Sequence, residues 1–420
     1  MSDPGPVVSA PTPTAASGRS LPALLRDPTI RASILAIFFY GFSGAATAPY
    51  QSVIGLTELK LGNGLYALLI LLGATVNVLV SISIGILADR IGRYRSLMIV
   101  VGLFGVTGYG LIYAVPTPAS FVLASLLLLP VYHSINSLLF ANVRVTTDRL
   151  DGAAAGAVNS TVRAAISLSW VLVPGLVALL LVGRASMLPA YLIASLAALA
   201  TVLAVLVLLP DNPARPRAAP TGAAASAYLA GFAEVLSPRV FVRLLALALI
   251  ASTLHVNAAV LPMIVTGAAG GDVTDIGVTV GAVALLEVVF IFVWAGIQRR
   301  IGNVRALIAG TVIYAAYLAL LGLASSPVHV YALTLLSGFG AAAIISIPIT
   351  YLQDLIAGRP GLGSSLISVN FFMAGGLCAA LFAFGTWITD YSGTSILGAL
   401  AALAGAALLF ALDGRRAAVK

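Results

Sequence analysis

The sequence predicts an all-α membrane protein: twelve transmembrane helices in two six-helix pseudo-symmetric halves. Three observations predict it. Of 420 residues, 60% are hydrophobic and only 9% are charged, whereas a soluble domain carries about 25% charged residues. The apolar residues fall into blocks of the length, about 20 residues of helix, that crosses a bilayer core. A basic motif that follows the second block returns, altered, after the eighth.

Taken in order, residues 1–30 are rich in Pro, Ser, Thr and Gly and hold no apolar run long enough for a signal-peptide core. They read as a flexible cytoplasmic tail. Spans are expected at 31–55, 63–88, 96–114, 119–143, 155–183 and 187–209, which form the N-terminal half, 31–209. The linker, 210–239, opens with PDNPARPRAAPTG, too Pro-rich for a helix, and a short surface helix is expected at 225–236. Six further spans, 240–266, 275–297, 305–324, 328–356, 362–388 and 394–412, form the C-terminal half, 240–412, before a cytoplasmic tail at 413–420.

The net charge of +8 does not point to nucleic acid, because the basic residues lie between apolar blocks and not on one stripe. Their distribution instead sets the topology. With the N-terminus inside, Arg90, Arg93, Arg95, Arg144, Arg239, Arg243, Arg299, Arg300, Arg305, Arg415 and Arg416 all fall on the cytoplasmic side, and the outside holds only Lys60 and Arg184. The positive-inside rule then places both termini in the cytoplasm of a bacterial plasma or inner membrane. One cysteine, Cys378, excludes an internal disulfide. No cofactor motif and no metal cluster are evident.

GILADRIGRYR at 85–95 is echoed by AGIQRRIGNVR at 295–305, with Arg90-Ile91-Gly92 against Arg300-Ile301-Gly302 and Arg95 against Arg305. Gly85, Asp89, Arg90, Gly92, Arg93 and Arg95 follow the pattern G-x-x-x-D-R-x-G-R-x-R, which resembles the loop between helices two and three of the major facilitator superfamily. Gly85 permits a close helix approach and Gly92 a tight turn. Asp89 can accept from the N-terminal end of a helix in the other half, where the dipole favours an anion. The resemblance implies that this contact latches the cytoplasmic side closed, with helix eleven near Gly361, Gly363 and Ser364 as the receiver. The plainer alternative is that the charges only anchor the loop. In the second half Arg299 replaces the Asp, so the latch is one-sided.

Three longer stretches, NSTVRAAISLSWVLVPG at 159–175, ALLEVV at 284–289 and LQDLIAGRPGLGSSLISVN at 352–370, resemble the bacterial sugar efflux transporter family. The resemblance implies export of sugars or sugar analogues in exchange for protons. Val-Pro-Gly at 173–175 resembles the helix-five motif of exporters, and Val173 departs from it where Gly is usual.

Ionisable groups at mid-membrane are costly and are functional candidates. Glu287, near the middle of helix eight, is the leading proton carrier. Asn159, Arg163, Ser167 and Trp170 share one face of helix five, and Arg163 can either pair with Glu287 in one state or snorkel to the interface. A cavity lined by helices one, four, seven and ten would hold Tyr40, Tyr50 and Gln51; His133 and Asn136; His255 and Asn257; and Gln353. Trp170 and Asn370 complete the candidate substrate contacts. Amides, hydroxyls and aromatic faces suit a sugar, and the same side chains can instead bond neighbouring helices.

The first functional expectation is a sugar exporter coupled to protons, acting as a monomer on a small-molecule substrate. A multidrug/proton antiporter on the same scaffold is the alternative. A membrane acyltransferase would need His-x-x-x-x-Asp, but His133, His255 and His329 are followed at that spacing by Leu138, Val260 and Thr334.

Overall fold

Hydropathy places the spans, and capping residues set where four of the helices, the first, fourth, eighth and twelfth, begin. The structure, a computed structural model, describes residues 26–91, 93–147, 152–184, 186–210, 237–355 and 360–414. Gly92 and the short helix expected at 225–236 lie outside the described residues, as do the side chains of Asp89, Arg90 and Gln353. Helix α1, Pro28–Thr47, starts on Asp27, whose carboxylate accepts from the backbone of Thr29 at 2.8 Å and Ile30 at 3.2 Å, with Pro28 in the first turn. Proline costs nothing there, since the first-turn N–H has no helical partner. A tight 3₁₀ turn, Ala48–Tyr50, and a wide π turn, Val53–Glu58, carry α1 to its loop.

Helices α2, Asn63–Ile91, and α3, Tyr94–Ala114, come next. Helix α4, Pro118–Arg144, starts on a capping box between Thr117 and Ser120. It is interrupted by a π turn at Ala124–Leu128. Helices α5, Gly152–Leu180, and α6, Pro189–Leu208, complete the first six. The last six are α7, Pro238–Thr266; α8, Val273–Ile301; α9, Asn303–Leu321; α10, Pro327–Leu355; α11, Pro360–Ile388; and α12, Tyr391–Leu409. Among the described residues there is no strand, and twelve helices are long and apolar enough to cross a membrane. That is the form a lipid solvent imposes, because helices satisfy their own backbone hydrogen bonds.

The first six helices pack as α1 on α5 and α6, α3 on α4 and α6, and α2 on α4. The last six repeat that order of partners: α7 on α11 and α12, α9 on α10 and α12, and α8 on α10. The two sets meet chiefly through α5 against α8 and α2 against α11. Arg93, Arg95, Arg144, Arg239, Arg299, Arg300 and Arg305 gather at one end of the bundle, with Lys60 and Arg184 at the other. These are the arginine-rich and arginine-poor ends below. Large apolar side chains such as Phe292 and Leu79 stand on the outer girth, where lipid would meet them, and Trp387 stands exposed near the arginine-poor end of α11.

Gly302 ends α8 at φ 84°, a left-handed conformation that favours glycine. Its position after Arg300-Ile301 is the one Gly92 holds in the first repeat. At the arginine-rich end of the last six, Arg243 of α7 grips Asp413 through two bonds, Nε at 2.8 Å and Nη2 at 2.7 Å. Tyr351 of α10 donates to the same carboxylate at 2.6 Å. Asp413 reaches this position from the π turn Phe410–Gly414 that follows α12.

Candidate functional site

A cavity of about 300 Å³ opens between α1, α2, α4, α7 and α11. Helix α2 supplies a continuous helical face, Tyr66, Leu69, Ile70, Gly73, Ala74 and Asn77, at the three- and four-residue spacing of one side of a helix. Gln51 enters just after the 3₁₀ turn of α1. Helix α4 adds Phe121, Ser125, Leu129, Pro130 and His133. Helix α7 contributes His255, Ala258 and Ala259, and α11 contributes Cys378. The polar side chains on the wall are Gln51, Tyr66, Asn77, Ser125, His133 and His255, and among the described residues no Asp, Glu, Lys or Arg and no residue of α10 lines it.

Both histidines are held by their own neighbours. His133 Nδ1 lies 3.4 Å from Tyr40 Oη, and the Tyr40 ring packs 5.5 Å from that of Tyr132. Tyr132 is fully buried, and its hydroxyl is 2.9 Å from Ser43 Oγ of α1. His255 Nδ1 is 3.2 Å from Ala251 O. A carbonyl only accepts, so this contact puts a proton on Nδ1. The His255 ring stands edge-on to Phe371 of α11 at 4.7 Å. One ring therefore comes from each set of six helices, and each is oriented before any ligand arrives.

Several contacts among the described residues join the two sets at the arginine-poor end. Tyr391 Oη donates to Asn63 Oδ1 at 2.9 Å, and the Tyr66 and Phe382 rings sit 5.6 Å apart. At Gly277 of α8, an added Cβ would overlap Ala178 and fall 2.5 Å from Pro174 O and Tyr50 Oη. Backbones approach that closely only over glycine. Toward the arginine-rich end, Arg95 Nη2 donates to Leu206 O at 2.6 Å, binding α3 to the carbonyl end of α6 within the first six. Among the described residues, Gly85 has no neighbour within 4 Å of an added Cβ.

The model of the MFS/sugar transport protein family matches residues 40–360, most of the chain. The chain belongs to that family. This transporter is 28% identical over 410 residues to sugar efflux transporter A of Dickeya chrysanthemi, covering 94% of this chain and 97% of the relative. It is also 28% identical over 359 residues to a Deinococcus radiodurans protein provisionally named a sugar efflux transporter, covering 84% and 89%. The nucleoside transporter NupG superposes with a TM-score of 0.75 at 15% identity, over 92% of this chain and 99% of that one. The peptide transporter POT in complex with sulfate also gives 0.75 at 15%, over 92% and 94%. At such identities the structures share the fold of this chain. The family is one of transporters and not of enzymes, and it implies a small-molecule substrate and a multi-pass membrane setting.

Of the residues singled out in the sequence, Gln51, His133 and His255 of the transporter come together on the cavity wall. Tyr40 stands behind His133. Tyr50 is fully buried and donates to Pro174 O at 3.1 Å, pinning the end of α1 to α5. Asn136 and Asn370 each bury an Oδ1 without a partner. Asn257 turns to α9, accepting from Tyr317 Oη at 2.9 Å. Trp170 packs near Gly44 of α1. Arg163 is exposed on α5, its guanidinium carbon 5.7 Å from the Phe140 ring centre, a cation–π distance. Glu287 is half-buried on α8 and has no hydrogen-bond or ion-pair partner among the described residues. The two are unpaired in this arrangement. Arg93 is exposed. The wall also holds Tyr66, Asn77, Ser125 and Cys378, which sequence reasoning did not select. Asn77 carried one usable signal, a lone amide in an otherwise apolar block.

Proposed function

We propose that this transporter exports sugars or sugar-like small molecules by alternating access, in exchange for protons. The observation that carries the reading is the cavity wall, with amide and hydroxyl groups from the first six helices, an imidazole from each set of six and, among the described residues, no Asp, Glu, Lys or Arg. Such a wall suits an uncharged molecule bearing hydroxyls. Two relatives bear sugar-efflux names, and they give the direction. The arginine-rich end faces the cytoplasm of a bacterial inner membrane, with both termini there. The sealed arginine-poor end then faces outside.

In this reading residues 31–209 and 240–412 are two bodies that rock about the cavity, joined by the linker 210–239. The tails 1–30 and 413–420 are cytoplasmic, and the protein works as a monomer. Gln51, His133 and His255 contact substrate directly. Asn136, Trp170, Asn257, Gln353 and Asn370 reach it, or position groups that do, as the bodies move. Gly85, Asp89, Arg90, Gly92, Arg93 and Arg95 latch the cytoplasmic side in the opposite state. Glu287 carries the proton, and Arg163 pairs with it in one state and releases it in the other. A carboxyl group without a protein partner is free to exchange its proton with whichever side the cavity faces.

A multidrug/proton antiporter is the second reading, favoured by the apolar remainder of the wall, Leu69, Ile70, Phe121 and Leu129. Proteoliposomes of known orientation separate the two. Radiolabelled lactose and glucose fluxes are measured with and without an imposed pH gradient, beside a lipophilic-dye control. Gradient-driven sugar flux is the expected result. Dye flux without sugar flux would move the protein to the second reading.

A further inference from the structure

The wall of α4 has a geometry that a regular helix cannot produce. Phe121, Ser125, Leu129 and His133 all line the cavity at intervals of four residues. In an α-helix every fourth residue lies about 40° past the last, so three such steps drift about 120° off a common line. The π turn at Ala124–Leu128 removes that drift. Leu129 N–H donates to Ala124 O, five residues back, which widens the turn and rotates the remainder of the helix. Pro130, lacking an N–H, lies immediately beyond and leaves the carbonyl of Leu126 without its usual helical donor. Interruptions of this kind occur mostly at functional sites.

The π turn contains Ser125, and that side chain is uncommitted. Its Oγ is buried with no hydrogen-bond partner. Other serines in the helices satisfy themselves on a carbonyl of the preceding turn, as Ser134 does on Val131 O and Ser169 on Ile166 O, both at 2.6 Å; Ser33, Ser52 and Ser337 share the lack of a partner, but of the four only Ser125 lines the cavity. Ser125 makes no such bond, so a rotation about χ1 toward the cavity sacrifices nothing. Across the gap, an added Cβ on Gly73 would lie 3.9 Å from Ser125 O, placing α2 and α4 in contact. One turn along α2 stands Asn77. Its Oδ1 accepts from Ser81 Oγ at 3.3 Å, and its NH₂ group has no protein partner among the described residues. A hydroxyl without a partner, one χ1 rotation from the cavity, and an amide donor thus stand on one wall from two touching helices.

We propose that Ser125 and Asn77 form a hydroxyl-binding pair on the α2–α4 wall that sets sugar affinity. The pair offers Oγ as donor or acceptor and Nδ2 as donor, which matches adjacent hydroxyls of a pyranose ring. This rests on the sugar-transport reading and adds to it a subsite on α2, a helix that the sequence did not assign to the cavity.

The test is counterflow exchange in proteoliposomes with the wild type and with Ser125→Ala, Asn77→Ala and Ser125→Thr. A panel of monodeoxy sugars is run beside the parent sugar. Each alanine variant is expected to raise KM about three- to tenfold at unchanged kcat, the signature of a neutral hydrogen bond lost equally from ground and transition states. Ser125→Thr, which restores a hydroxyl, should recover most of it. The monodeoxy sugar lacking the bound hydroxyl should be a poor substrate for the wild type, and Ser125→Ala should add no further loss to it. An unchanged KM in both alanine variants, or a loss fully additive with every deoxy analogue, overturns the pair. Should Ser125→Ala not fold, the deoxy panel on the wild type and Asn77→Ala still decides. Absence of sugar exchange by the wild type would instead overturn the transport reading.

Discussion

Helices α1 and α4 of the first six are broken, whereas α7 and α10, which occupy the same places in the packing order of the last six, are not. Each pair carries prolines: Pro49 and Pro130 in the first, Pro262 and Pro348 in the second. Proline alone therefore does not decide the outcome. Both interruptions touch the cavity wall, at Ala48 and Gln51 beyond α1 and at Ser125 of α4, and irregular backbone at membrane depth is tolerated where it is covered by protein or lines a cavity. The last six instead hold the Arg243–Asp413 grip and the unpaired Glu287. Most of the cavity wall thus comes from the first six and the unpaired carboxyl from the last six, so substitutions in the two should fail differently.

The sharpest division is expected from Glu287→Gln. It should abolish sugar accumulation driven by a pH gradient while leaving sugar-for-sugar exchange intact, read in the same proteoliposomes. Full accumulation by this variant would remove Glu287 from the coupling. Arg243→Ala comes next and should act on stability alone. It removes the cation that faces the Asp413 carboxylate and leaves the Tyr351 hydrogen bond in place, and a broken buried pair costs about 3 kcal/mol, which a melting curve in detergent would show as a clear fall in Tm. A loss under about 1 kcal/mol would mean that water replaces the grip.

Gly277→Ala tests where the two sets meet. The added methyl has no room against Pro174 O and the Ala178 methyl, and overpacking of this kind costs about 1–3 kcal/mol. The variant should favour separation at the arginine-poor end and raise the labelling of Cys378, the one cysteine in the chain, by an impermeant maleimide added from that side. The smallest effect is expected from Tyr391→Phe, which removes a single hydrogen bond to Asn63, worth about 1 kcal/mol. Cys378 labelling should then rise about fivefold at most. Equal labelling in wild type and both variants would place the seal elsewhere.

The spans were legible in the sequence because hydropathy reports length and solvent, and caps such as Asp27 with Pro28 add only a few residues to each start. Gln51, His133 and His255 were legible as polar residues in apolar blocks. Ser125 was not, since a serine in a helix usually bonds its own backbone and one extra residue in a turn leaves the hydropathy pattern unchanged. The orientation of Tyr50 was equally hidden: its partner is a backbone carbonyl on α5, 124 residues away. The wall face of α2, and Cys378 on α11, escaped selection because they are mostly apolar, and an apolar face in a membrane helix reads alike toward lipid, protein or cavity.

The π turn of α4 also says where this wall tolerates a change of length. Deleting one residue between Ala124 and Leu128 would close the turn into an ordinary α ladder, and His133 would then follow Phe121 at about 20°, close to the angle that the extra residue of the π turn now gives it. His133 would keep its place on the wall. The same deletion in an unbroken helix such as α2 would turn everything beyond it by about 100°. The π turn is therefore the stretch of α4 where a codon can be lost with a local effect, confined to Ser125 and its immediate neighbours.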